Sequence, residues 1–523
     1  MSRLPAQPHD ATGLTAGDRL QRQLRLVTLA WVFGSVWLWT VSGATMTQFA
    51  RSLGTPDWGF GILAMLPFIG TFIQLPAGYL LERYGHRKAV FMVTATAGRL
   101  LWAVAAGVPW MLPRTVSVGE ASVNLWWPSM AGLLALSWIL MSASGPAWMN
   151  WMSDLIPRRV RGRYFATRNN VGNCIGLVAT VAIGYALDVT ERAGGVAEDI
   201  AAGISGGGGG HDPLMLRVTS ALLAVAGLMG ALDILCFRGV VDLERPREHK
   251  PITMADMIRG PLRDANFRSY LAFVFVFNFG TAYIGQYVWL YMLDVLEWTN
   301  KQANLLIVAI PLAMRLFCYG PWGRLTDRLG KKPVILISGF FTIFGAAGWL
   351  LCTAENWWVG YLLVLCVVVA WPGFEIATFN FILDLSGSRR RGVAEGASGG
   401  ASGGAYVAMN SLTVAVAGGL SGLFASVIAA WLRDWTWATG VMGIVLTYHG
   451  VLFIISTVLR AAAVLIAMTL REEHATRTRD AIRIMAGGFY SNVQRATVMP
   501  VELAGRAMRW TYRLHDADKP QRP

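Results

Sequence analysis

Charge is scarce in this chain. Asp, Glu, Lys and Arg make up 15% of its 523 residues, against about 25% in a soluble domain. So few ions cannot solvate a surface of that length, and a soluble globular protein is excluded. Cysteine is sparse as well. Cys174, Cys236, Cys318, Cys352 and Cys366 stand singly inside apolar stretches, without the spacing of a disulfide framework, a zinc site or a redox motif, and they read as small hydrophobes. None of the seven histidines, at 9, 86, 211, 249, 449, 474 and 515, lies deep in an apolar run, so a histidine proton relay is not expected. There is no phosphate-loop motif, metal-ligand cluster or nucleophile elbow. The glycine run Gly206 through Gly210 lacks the following Lys and Ser or Thr and has no strand before it, and it reads as a flexible loop outside the membrane. Neither a cofactor nor a metal is expected, and ATP-driven pumping and enzymatic chemistry have no support.

What the chain has in excess is apolar length. Hydrophobic residues make up 54% and the mean hydropathy is +0.45. Apolar runs predict helices at residues 26–50, 58–81, 89–112, 126–152, 164–187 and 216–238, then 269–293, 303–322, 334–353, 357–383, 394–431 and 449–470. Each is long enough to cross the roughly 30 Å hydrocarbon layer, and the 22 Trp suit long interfaces with lipid headgroups. The eleventh run exceeds one straight span, and residues 432–447 after it are only partly apolar. A polar linker, 239–268, separates the first six helices from the last six. The expected division is therefore an N-terminal segment 1–25, bundles at 26–238 and 269–470 around that linker, and a basic tail 471–523. Within the tail, Ile482, Met485, Phe489 and Val493 recur at helical spacing, which suits either an amphipathic helix on anionic lipid or a solvated tail.

The net charge of +14 would suggest nucleic acid in a soluble domain. Here most of the Lys and Arg fall in both terminal segments and in alternate loops. That is the pattern that holds one face in the cytoplasm, so no nucleic acid partner is expected and both termini are predicted cytoplasmic. About 25 polar residues precede the first apolar run, with no cleavage site after a short hydrophobic stretch, so the first helix is expected to be a retained anchor.

The chain repeats itself. Gly78-Tyr79-Leu80-Leu81-Glu82-Arg83-Tyr84-Gly85-His86-Arg87-Lys88 returns 245 positions later as Gly323-Arg324-Leu325-Thr326-Asp327-Arg328-Leu329-Gly330-Lys331-Lys332-Pro333, and Pro76 aligns with Pro321. Asn150, Asp154, Leu155, Arg161 and Gly162 return at an offset of 230 as Asn380, Asp384, Leu385, Arg391 and Gly392. Two motifs in the same order at equivalent positions argue for a duplicated six-helix unit with both copies oriented alike. The tight loops need Gly85 and Gly330 where a Cβ would obstruct positive φ. Arg83 and Arg328 need carboxylates at the membrane surface, for which Asp154 and Asp384 are placed. Glu82 and Asp327 can face helix N-termini of the opposite half. The basic side chains Arg87, Lys88, Lys331 and Lys332 can act in the gate or simply fix topology.

These loops resemble the signature of the major facilitator superfamily: Gly, three residues, Asp, Arg, one residue, Gly, then two basic residues. Glu82 in place of Asp and Pro333 in place of a basic residue are the departures. Residues 26–470 carry the resemblance, and the stretch Ser153 to Phe165 is similar to bacterial members. The resemblance implies an all-α polytopic protein with twelve transmembrane helices in two six-helix bundles, in which the signature loops stabilise the outward-facing state. It also implies a central cavity lined by helices 1, 4, 7 and 10, with helices 3, 6, 9 and 12 facing lipid. Glycines Gly396, Gly399, Gly400, Gly403 and Gly404 leave one end of the eleventh helix bare. Gly78 offers it a matching surface, read equally as a sliding contact or as static packing.

Ionisable groups at membrane depth cost about 2.5–3.5 kcal/mol on insertion scales and are functional candidates by default. Arg99, Arg315, Glu375 and Arg460 fall deep, and Arg168, Asp233 and Glu395 lie nearer the ends, where structural pairing or snorkelling accounts for them. Glu375 is the favoured cavity residue and proton carrier, with a role as counter-ion to Arg315 equally open, while Arg99 and Arg460 are expected to be held by neighbouring helices. Gln48, Asn170, Asn173, Asn278, Tyr283, Gln286 and Tyr287 complete the candidate solute or proton site, each open equally to an ordinary inter-helix hydrogen bond. The expected function is secondary active transport of a small solute by alternating access across a bacterial cytoplasmic (inner) membrane, by a monomer, with proton symport as one option. The alternative is a polytopic receptor or assembly factor that keeps the fold without transport. A lipid-acting membrane enzyme would need polar catalytic clusters at the interface, and none is found.

Overall fold

The computed structural model describes residues 16–84, 86–118, 121–156, 158–205, 213–242, 259, 261–353, 356–392, 403–438, 445–472 and 476–483. Twelve helices in it are long and apolar enough to span a membrane. The first half holds α1 (Ala16–Val41), α2 (Asp57–Tyr84), α3 (Arg87–Ala106), α4 (Trp126–Leu155), α5 (Arg158–Ser205) and α6 (Pro213–Cys236). The second holds α7 (Ala265–Val295), α8 (Asn300–Leu329), α9 (Lys331–Gly348), α10 (Trp357–Gly392), α11 (Gly403–Trp431) and α12 (Tyr448–Met468). Only helices can satisfy the whole backbone inside lipid without a closed barrel. Successive spans reverse direction, so the described start and end of the chain share one face, called here the terminal face. The opposite one is the far face.

Where the helices differ from the sequence expectation, a local cause is visible. The predicted run 26–50 divides at Gly43 into α1 and a short helix, Ala44–Ser52. The Ala44 N–H freed by the break is satisfied by Asn304 Oδ1 of the second half, at 3.1 Å. The run 89–112 breaks at Gly107, and Val108–Met111, with a proline in its first turn, follows as a separate turn. A hairpin pairing Thr115–Val118 with Ala121–Asn124 then leads to α4. The helix α5 runs past its predicted end, through Gly184 and Gly194, for 48 residues, of which Thr167–Gly194 form the apolar span. The span α7 is interrupted by a turn at 283–286 and closes in a π-helical turn, Tyr291–Val295. The second residue run with this geometry, Leu305–Ala309, lies just inside α8. The described part of α11 begins at Gly403, and Gly396, Gly399 and Gly400 lie outside the described residues. The partly apolar stretch after α11 contains a small antiparallel pairing, Trp437–Ala438 with Val445–Leu446. Of the predicted linker 239–268, residues 243–258 and Gly260 lie outside the description, as does the tail beyond 483.

The buried core has a telling shape. Near the far face one continuous cluster joins the halves, running from Trp37, Phe49 and Phe60 of the first to Tyr287, Trp289 and Phe453 of the second. Toward the terminal face the described core residues fall into separate clusters. Phe91, Trp151 and Phe237 centre a cluster made only of first-half residues, and Phe267, Phe277 and Phe374 centre one made only of second-half residues.

Candidate functional site

Polar contacts between the halves gather at the far-face seam. Gln48 Nε2 donates to Asn300 Oδ1 at 2.6 Å, and Asn300 Nδ2 donates to Glu191 at 2.8 Å. The Lys301 N–H donates to Asp188 at 3.1 Å, Tyr448 donates to Asp57 at 2.9 Å, and Arg51 pairs with Asp294. Thr299 and Gln302 form a reciprocal capping box that fixes the start of α8, which holds Asn300 and Lys301 in register for these partners. The backbones also approach closely. A Cβ on Gly184 of α5 would lie 2.9 Å from Lys301 Cα, and one on Gly422 of α11 would lie 2.6 Å from the Gly61 carbonyl oxygen of α2.

At middle depth in the second half, Glu375 of α10 accepts from three donors. Arg315 Nη2 lies 2.9 Å from its Oε1, Trp371 Nε1 lies 2.8 Å from the same oxygen, and the Tyr319 hydroxyl donates to Oε2. Helical spacing puts Arg315 with Tyr319, and Trp371 with Glu375, on common faces. Both charged side chains are 34% exposed, so the pair is open rather than sealed. Arg315 also lines a cavity of about 370 Å³ bordered by residues of α7, α8, α10 and α12 and of the end of α9.

At the terminal face, each half ties three elements through one basic residue. Arg87, at the start of α3, pairs with Asp154 at the end of α4 and through Nε with Asp242 after α6, at 2.8 Å. Lys331, at the start of α9, pairs with Asp384 of α10 at 2.5 Å and Glu472 after α12 at 3.6 Å. Glu472 also accepts the backbone N–H groups of Lys331 and Lys332, at 3.0 and 2.7 Å. Gly330 turns the chain between α8 and α9 with φ 93°, in the region open to glycine.

A family model for the major facilitator superfamily matches residues 28–409. The chain belongs to that superfamily. Comparison with curated proteins finds no match. Among solved structures, the nucleoside transporter NupG aligns over 86% of this chain and 98% of its own at 12% identity and a TM-score of 0.56. A D-xylose-proton symporter aligns over 86% and 97% at 14% identity and 0.56. A bacterial homologue of the human lysosomal transporter Spinster, in an inward-facing, unoccupied conformation, aligns over 86% and 94% at 13% identity and 0.55. At these identities the likeness is one of fold.

Within this superfamily member the candidate residues divide into separate places. Gln48 belongs to the far-face seam, and so does Tyr287, whose hydroxyl would lie 2.9 Å from a Cβ on Gly61 of the first half. Tyr283 is buried and stacks on Phe279. Asn278 donates to the Val274 carbonyl of its own helix. Gln286 closes a small cavity of about 60 Å³ against first-half residues. Asn170 is exposed and Asn173 half-buried on α5, and no hydrogen bond among the described residues ties either to the Arg315–Glu375 pair. In the signature loops, Gly78 packs near Pro146 of its own half and Gly323 has open space around it, while Asp327 and Arg328 are exposed. Among the described residues a close glycine approach between α2 and α11 is made at Gly61 and Gly422, while the glycines expected opposite Gly78, Gly396, Gly399 and Gly400, lie outside the described residues. Gly85 lies outside the described residues, as do the side chains of Glu82, Arg83, Arg161 and Arg391.

Of the ions expected to be paired or snorkelled in the first half, Asp233 is paired with the deep Arg99 and Arg168 is held by an aromatic ring. Arg99 Nη2 reaches Asp233 at 3.5 Å with its guanidinium 3.5 Å over Trp37, and Arg168 lies 4.0 Å over Trp31. Glu395 is outside the described residues. Sequence reasoning missed Tyr319 and Trp371 as partners of Glu375, although their four-residue spacing was a usable signal. It also missed Asp242 and Glu472, which are separated by the same 230 positions as Asp154 and Asp384.

Proposed function

We propose that this protein is a secondary active transporter that moves a small polar or zwitterionic solute by alternating access. The supporting observation is the core that joins the halves at the far face and divides into one cluster per half toward the terminal face. Among the described residues the halves share one core on the far side and keep separate cores on the other, an arrangement that supports one of the two end states that rocking bundles exchange. In our reading the terminal face is cytoplasmic, the membrane is a bacterial inner membrane, the working unit is a monomer, and the structure is inward-facing. The Arg315–Glu375 pair, open at middle depth, meets the solute by offering both charges, and Glu375 is the candidate proton carrier. The signature-loop residues around Gly78, Arg83, Asp154, Asp327 and Arg328 close the opposite state.

Interhelical hydrogen bonds in membranes contribute about 0.6 kcal/mol each. The far-face seam as a whole is then worth a few kcal/mol, less than the roughly 5.5 kcal/mol that would carry a two-state equilibrium from 1:99 to 99:1. A solute or a proton can therefore reverse the balance. The test is purified protein in sealed vesicles, screened against amino acids, sugars and nucleosides for uptake with and without an imposed pH gradient. Saturable uptake by the wild type and its loss in Arg315→Met are expected. Glu375→Gln is expected to keep downhill exchange and lose gradient-driven accumulation. Full accumulation by that variant would remove the proton role, and labelling that put the two chain ends on opposite faces would remove the transport reading.

A further inference from the structure

The second half holds a buried cation that the transport reading does not use. Arg460 of α12 is 6% exposed and lines the 370 Å³ cavity together with Arg315. Its Nη1 donates to the Thr342 carbonyl of α9 at 2.9 Å, and its Nε has no hydrogen-bond partner. No ion pair among the described residues joins it to a carboxylate, and Glu375 is engaged by Arg315, Trp371 and Tyr319. A buried guanidinium without a counter-ion is costly, and the first half avoids that cost by giving Arg99 both Asp233 and the Trp37 face. Apart from Thr281 the rest of the cavity wall is largely apolar, with Ile284, Leu306, Trp349 and Val364 facing it. Its volume falls within the roughly 300–1,000 Å³ of small-molecule sites, which are lined in the same way by hydrophobic groups around a few polar ones.

We infer that this cavity is a binding site for an amphipathic organic anion, whose carboxylate or phosphate head takes the place of the missing counter-ion at Arg460 while its apolar body fills the space between α7, α8 and α10. A small inorganic anion would leave the apolar wall unused, and a neutral apolar molecule would leave Arg460 uncompensated. Such a head and tail belong both to a free fatty acid and to an acidic lipid. The lining comes from the second half alone. It shares Arg315 with the proposed solute site, but the anion's binding turns on Arg460 and is tested by binding alone, so its failure and that of the transport reading are distinguishable.

The probe is dodecanoate, titrated calorimetrically into the full chain in an uncharged detergent, with dodecan-1-ol as the neutral control. Saturable dodecanoate binding at least tenfold tighter than that of the alcohol is expected, with a matching rise in the thermal unfolding midpoint. Arg460→Met should weaken dodecanoate at least tenfold and leave the alcohol unchanged. Val364→Trp, which keeps the cation and fills the cavity, should weaken both and covers the case in which the arginine variant does not fold. Mass spectrometry of the purified protein separates the sources. An acidic phospholipid retained and displaced by dodecanoate names the bilayer, and dodecanoate binding to protein free of lipid names a soluble acid. Equal affinity of the wild type for dodecanoate and dodecanol, or undiminished dodecanoate binding by Val364→Trp, overturns the inference.

Discussion

The two halves share a plan and differ in how they treat charge inside the membrane. In the first half the deep arginine, Arg99, is closed in by Asp233 and the Trp37 ring, and Arg168 lies against Trp31 and Trp148 nearby. In the second half the Arg315–Glu375 pair is more accessible. Arg315 and Glu375 are each 34% exposed, and Arg460 borders a cavity. Closed networks hold a bundle in one shape, whereas open ones have capacity left for a ligand. From this contrast we propose that the first half uses its buried charge mainly for structure and the second half mainly for binding.

The sharpest way to break that contrast is to neutralise one acid in each half. Asp233→Asn removes the counter-ion of a guanidinium with nowhere else to turn, which costs about 3–5 kcal/mol when a buried pair is broken. Glu375→Gln removes an acid from an open pair, where about 0–1 kcal/mol is expected. Thermal unfolding of both variants in the same detergent should therefore show a large loss for Asp233→Asn and a small one for Glu375→Gln. Equal losses would mean that the second-half pair is structural as well.

A smaller difference is expected at the terminal face, where the same three-element tie is made by different chemistry. Arg87 is largely buried and joins Asp154 and Asp242 by separate nitrogens. Lys331 is more exposed and meets Asp384 and Glu472 through one ammonium. A planar guanidinium suits two carboxylates at once, and a point charge does so less well. Arg87→Ala should cost about 2–3 kcal/mol, from lost charge-assisted hydrogen bonds to two partners, and Lys331→Ala at most about 1 kcal/mol. Unfolding midpoints in this pair of variants should keep that order, and a reversal would show that exposure does not govern the two ties.

The twelve spans and the duplication were readable from the sequence because both rest on periodic or local signals: uninterrupted apolar length, and the return of Gly78 through Lys88 at a fixed offset. The ends of helices were less readable. The break at Gly43 depends on Asn304, which lies in the other half, and no local pattern reports a partner that distant. The same reason hid the far-face seam. Asp188, Glu191, Asp294 and Asn300 look like ordinary polar residues at helix ends, and only the closure of this face turns them into contacts. For the candidate site, Arg315 with Glu375 was foreseen from their cost in lipid, while Gln48 and Tyr287 are spent at the seam. Polarity on a cavity helix does not say at which depth the residue faces the passage.

The seam offers the finest test, since it compares the far face with the terminal one directly. Asn300 is fully buried and bridges two first-half residues, Gln48 and Glu191, so Asn300→Ala removes two interhelical bonds of about 0.6 kcal/mol each. That is about 1 kcal/mol on the balance between end states, a shift of roughly five- to tenfold in population. A cysteine at Thr47, itself buried beside the seam, would report the shift through its reaction with an impermeant maleimide added to the far face of oriented vesicles. The labelling rate should rise five- to tenfold in Asn300→Ala, and further in Gly184→Leu, where the added side chain meets the Lys301 backbone. An unchanged rate in both variants would mean that the joined far-face core, rather than its polar rim, holds this state closed.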